Sequence, residues 1–178
     1  MSVRTLSAMI VLLFGVVAGP AAADNRDKPR WGKGGSWGIY VDTTAGNVCY
    51  AVRGFPGGTG ILASVRSDGG LQLAIASGRW QFAEPGETYR LKFVFGNGTT
   101  YEEELEAVAM DSAVALSASE LSAAFLSDFM KKTSLLVYHR DALIASVLLL
   151  DTYYAVTQLR TCNASVAGGP DFSDPSLR

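Results

Sequence analysis

The sequence predicts a mainly β single domain with two helices: an antiparallel β-sandwich or partly open barrel whose C-terminal helix is stapled by a disulfide. Three observations carry this expectation. Residues Tyr89–Phe95 alternate Tyr89, Leu91, Phe93 and Phe95 with Arg90 and Lys92, the period of a strand with one buried and one wet face. Asp68-Gly69 and Asn97-Gly98 are favoured hairpin dipeptides set between apolar runs. The only two cysteines, Cys49 and Cys162, lie near opposite ends of the patterned region.

Taken in order, residues 1–23 read as a secretory signal. Arg4 is the positive start, Ala8 to Ala18 the apolar run, and Ala21-Ala22-Ala23 a cleavage site before Asp24. The run falls short of the about 20 apolar residues that span a bilayer. Residues 24–35 are charged and rich in Pro and Gly and read as a flexible leader. Residues 36–162 then form the β-rich domain. Ser36–Asp42 and Asn47–Arg53 suggest a hairpin around Thr43-Thr44-Ala45-Gly46, and the glycines of Gly54–Gly60 a loop. Ile61–Arg66 and Leu71–Ala76 form a second hairpin, and Tyr89–Phe95 with Thr99–Val108 a third.

The last third changes character. Ser119 to Lys132 has near-helical apolar spacing, with Ser117 or Ser119 as cap and two lysines suited to the negative C-terminal end. Ser134–Tyr138 and Ala142–Leu149 read as strands, and a second helix runs from Asp151 or Thr152 to Cys162. Residues 163–178 hold two further prolines and few apolar residues and read as a disordered tail.

Of 178 residues, 48 % are apolar and 18 % charged, which excludes wholesale disorder. A net charge of −2 argues against nucleic-acid binding. One His and two Cys cannot supply a four-ligand Cys/His zinc site, and no cofactor is expected. Export places the cysteines in an oxidising compartment, where a Cys49–Cys162 bridge is the natural outcome. Closing so long a loop stabilises by about 4.7 kcal/mol in the chain-entropy treatment. A catalytic thiol with His139 as its base is the rival reading.

Other motifs favour structure over chemistry. Tyr138-His139-Arg140-Asp141 contains kinase catalytic-loop letters without the remaining kinase parts, so it reads as a polar hairpin tip with His139 at the surface. Gly57-Gly58-Thr59-Gly60 lacks the Lys and following helix of a phosphate loop. Glu102, Glu104 and Glu106 share one strand face and read as a solvated surface rather than a hydrolytic pair. Asn97-Gly98-Thr99 and Asn163-Ala164-Ser165 match glycosylation sequons. Trp31, Trp37 and Trp80 are the candidate ligand or contact residues; Trp37 and Trp80 also suit a core.

Trp37-Gly38-Ile39-Tyr40-Val41-Asp42 followed by Cys49-Tyr50-Ala51 resembles the opening of the invasion-associated locus B family of alphaproteobacterial exported proteins. The ending is similar too: a helix, Ser134–Tyr138, a polar turn, Ile144–Leu150, Thr152 to Ala155, and Leu159 before Cys162. Gly78-Arg79-Trp80 and Gly86 to Leu91 look closer to uncharacterised relatives. The segment after Ala51 departs from the family, because glycines follow Arg53-Gly54-Phe55-Pro56 directly and a longer polar insert is missing. The resemblance implies a periplasmic or secreted β-rich protein without an enzymatic site. Its expected partner is an envelope or host-surface component, with no membrane span after signal cleavage. The alternatives are a small-molecule binder with Trp37, Trp80 and Phe93 facing a barrel interior, and a periplasmic inhibitor or immunity protein.

Overall fold

The computed structural model describes residues 30–66, 68–110 and 113–167. The signal segment 1–23, residues 24–29 of the leader and residues 168–178 of the tail lie outside them. Ten strands form one antiparallel sheet. They are β1 (Arg30–Gly34), β2 (Trp37–Asp42), β3 (Val48–Phe55), β4 (Thr59–Val65), β5 (Leu71–Ser77), β6 (Thr88–Phe95), β7 (Thr100–Met110), β8 (Ala113–Leu121), β9 (Ser134–His139) and β10 (Ala142–Leu148). Helix α1 (Ala123–Lys131) separates β8 from β9, and α2 (Thr152–Ala167) ends the described chain.

The spatial order is β1-β2-β3-β4-β5-β8-β7-β6-β9-β10. The expected hairpins are present, and alternation sets their faces. In β2, Trp37, Ile39 and Val41 are buried between half-exposed neighbours, and in β5 Leu71, Leu73 and Ile75 repeat the pattern. The Asn97-Gly98 turn closes with Gly98 N–H donating to Phe95 O at 2.8 Å, its glycine at φ 87°.

Four segments depart from the expectation. Residues 30–34 of the leader form β1, paired with β2 and packed on α2. Their two glycines weaken any strand signal, and the pairing partner supplies the order. The Gly54–Gly60 loop contracts to a tight turn, because β3 runs to Phe55 and β4 starts at Thr59, with Gly57 and Gly58 at φ 92° and 80°. Residues 163–167 continue α2 rather than opening the tail. Residues 113–121 form β8, which bonds β5 on one side and β7 on the other. Helix α1 therefore starts later than expected, capped by Ser122, whose hydroxyl accepts from Phe125 N–H at 3.1 Å.

The core lies on the inner face of the sheet beneath both helices. Phe125, Leu126 and Phe129 of α1 and Ala155, Val156, Leu159 and Cys162 of α2 are buried against it. Phe93 and Phe95 meet Phe125 edge-on at 5.2 Å, and Phe129 meets Trp37 at 6.1 Å, so α1 joins the two halves of the sheet. The Cys49–Cys162 disulfide ties β3 to α2 with Cα atoms 6.1 Å apart. Asn163 reinforces it, accepting from Cys49 N–H at 3.2 Å and donating from Nδ2 to Val65 O at 2.9 Å. That nitrogen is committed to the fold rather than presented for a glycan.

Candidate functional site

The sheet does not close into a barrel, and the place where closure stops is the most distinctive surface of the molecule. Strand β10 ends the order beside β9. The opposite side reaches it with side chains instead of a ladder. The Trp80 indole N–H donates to Ile144 O at 3.2 Å. Further along, the Trp37 indole donates to Leu150 O at 3.2 Å, and Arg53 Nη1 to the same oxygen at 2.6 Å. Asp151 follows with φ 64°, its Oδ2 accepting from Ser36 N–H at 3.0 Å. That bond, first, and Arg53 nearby, last, hold its carboxyl below the ordinary range.

Beside this seam the surface is apolar. Leu148 and Leu150 flank buried Leu149, so both point outward, Leu148 at 59 % exposure. Tyr153 and Tyr154 follow on the first turn of α2, Tyr154 62 % exposed, with their rings 5.8 Å apart. Four large exposed side chains thus fall within seven residues.

The candidate tryptophans separate. Trp37, 1 % exposed, is a core residue between Phe55 and Phe129 whose indole N–H reaches the seam. Trp80 is half-buried at the seam itself and packs on Phe82 at 5.8 Å. Trp31 is half-buried on β1, packed against the core, and shares no ring contact or hydrogen bond with them among the described residues. Phe93 is buried under Phe125. The sequence missed Arg53, Leu148, Leu150, Tyr153 and Tyr154. The signal was there, as extended backbone through Leu148-Leu149-Leu150 turns the first and third leucines to the same side.

His139 is half-buried rather than the fully exposed residue that the hairpin reading expects. Its pairing with Leu91 turns the ring inward, where it stacks on Phe82 at 5.0 Å and meets Tyr89 edge-on at 5.5 Å. Its Nδ1 is buried with no hydrogen-bond partner among the described residues. Both cysteines are in the disulfide, so neither offers a thiol to that ring. Glu102, Glu104 and Glu106 do share the exposed face, where Arg90 pairs with Glu104 at 3.1 Å. Glu103 points the other way, opposite buried Leu91, and burial pushes its carboxyl above the ordinary range.

No family model, curated protein or solved structure matches this chain. Among the described residues, no helix is long and apolar enough to cross a membrane.

Proposed function

We propose that the protein is an exported, non-enzymatic binding protein of the periplasm or cell exterior, and that its partner is another envelope component or a host-surface protein. The reading places it with the invasion-associated locus B-like proteins that its sequence resembles. The observation that carries it is the cluster Leu148, Leu150, Tyr153 and Tyr154 beside an open sheet edge. Exposed apolar patches of this kind mark interaction sites, and tyrosine is among the residues that dominate binding energy. The disulfide supports an oxidising compartment. A periplasmic inhibitor would use the same surface. A small ligand held among Trp37, Trp80 and Phe93 is less well supported, because Phe129 and Phe125 fill the space against Trp37 and Phe93.

The test is site-specific photo-crosslinking in the cells that make the protein, with the crosslinker at Tyr154 or, as control, at Glu106 on the outer face of β7. A discrete polypeptide adduct from Tyr154 and none from Glu106 is expected. Absence of adducts from Leu148, Tyr153 and Tyr154 alike would sink the reading.

A further inference from the structure

Backbone geometry makes the seam more specific than an apolar patch. Leu149 N–H donates to Thr133 O at 2.8 Å. Antiparallel alternation then turns the backbone groups of Val147 toward β9, and those of Ser146 and Leu148 toward the open edge. The neighbouring even-numbered residues agree, since Ile144 O and Leu150 O are the two carbonyls that the indoles of Trp80 and Trp37 reach. The edge is therefore capped at both ends and open at Ser146 and Leu148 between them.

That opening lacks the usual protection. Strand β10 reads Ala-Leu-Ile-Ala-Ser-Val-Leu, with no charge and no proline, whereas natural edges commonly carry lysine, proline or inward-pointing charge. The opposite edge shows the contrast: β1 bears Arg30 and Lys33, is irregular at Arg30/Gly32, and lies against α2. Strand β10 retains one such device, its irregularity between Leu143 and Ala145. Alongside runs a cleft of about 260 Å³ lined by Thr59, Arg79, Trp80 and residues 143–146 of β10. Arg79 is the one charged residue lining it, is exposed, and has no carboxylate partner among the described residues.

We infer that the β10 edge receives a short extended polypeptide segment carrying an acidic side chain. The segment adds to the sheet at Ser146 and Leu148 and sets its carboxylate against Arg79. Strand addition supplies backbone hydrogen bonds without demanding a particular sequence, and the arginine supplies selection through a charge-assisted bond. Charge decides against a second copy of this chain. A two-fold β10 pairing brings no acid to Arg79, because β10 has none and Asp141 would fall beyond Leu148, away from the cleft. The inference rests on the binding-protein reading and names the mode and chemistry of the partner.

Fluorescence anisotropy of the oxidised protein with two labelled probes tests it: a short peptide alternating valine and glutamate, and its valine–lysine counterpart. The glutamate peptide is expected to bind roughly tenfold tighter or better. Arg79→Glu, a surface change, should reverse the preference. Ser146→Pro removes the edge-facing N–H at a position where edge strands accept proline, and should weaken the glutamate peptide by roughly tenfold at an unchanged circular dichroism spectrum. No binding at millimolar peptide, no response to Arg79→Glu, or self-association abolished by Ser146→Pro would each overturn the inference. A Tyr154 crosslink that survives both substitutions would leave the binding-protein reading standing and remove only this mode.

Discussion

Asp151 sits in the left-handed region at φ 64° and accepts Ser36 N–H through its side chain. Asparagine tolerates that conformation and keeps an acceptor, whereas alanine loses both advantages. Asp151→Ala is therefore expected to lower the melting temperature more than Asp151→Asn. Because the folded carboxyl titrates below 3.8, its contribution is complete above that pH and is lost as pH falls through the depressed value. Acid unfolding of Asp151→Asn should accordingly be shallower in that window. Glu103 carries the opposite sign. Its raised folded value means that ionisation opposes folding as pH rises above 4.5. Glu103→Gln should stabilise at neutral pH and have no effect well below pH 4.5, where both states are protonated, a comparison that urea titrations at two pH values make directly. Trp80→Phe keeps most of the apolar area and leaves Ile144 O without its indole; a cost of about 1 kcal/mol is expected in the same assay. Residue type was legible here, in that tryptophan and glutamate stood out, but their partners were not. Nothing in sequence spacing places Trp37 and Leu150 O together, 113 positions apart.

Among the elements, hairpins were legible because turn and alternation are local. Strand β8 was not. Ala113–Leu121 is rich in alanine and serine and leads straight into helical spacing, so local preference favours extending the helix backward. The structure decides otherwise because β5 and β7 both offer ladders to these residues, and tertiary pairing outweighs a preference of tenths of a kcal/mol per residue, on the order of 0.5. The boundary has a direct check: Ser122→Ala should cost about 1 kcal/mol of stability, while Ser119→Ala, on an exposed site of β8, should cost little by the same urea midpoint. Strand β1 was missed for the reverse reason. Arg-Trp-Gly-Lys-Gly has almost no strand character of its own, and a Cβ at Gly34 would come 2.6 Å from the backbone of Ala155. That glycine answers to α2, which local reading cannot see.

For the molecule as a whole, the class, the two helices and the bridge were legible, whereas the strand order and the open seam were not. The order requires β8 to cross back and pair β5 ahead of β7 and β6, a decision made by long-range packing. The disulfide ties the last helix to the third strand across 113 positions. Replacing both cysteines with alanine is expected to cost about 3–5 kcal/mol, with the lost packing of the two buried sulfurs acting in the same direction, read from urea unfolding. Amide exchange should show α2 losing protection before the β5–β8–β7 centre of the sheet, because Asn163 and apolar contacts alone then hold it.

Two cysteines admit one intramolecular connection. Oxidation within one chain therefore has no wrong pairing to correct, and no intramolecular reshuffling is needed to reach the native bridge. The second sulfur belongs to α2, the last of the described elements, so thiol loss during refolding becomes a clock for the approach of that helix to β3.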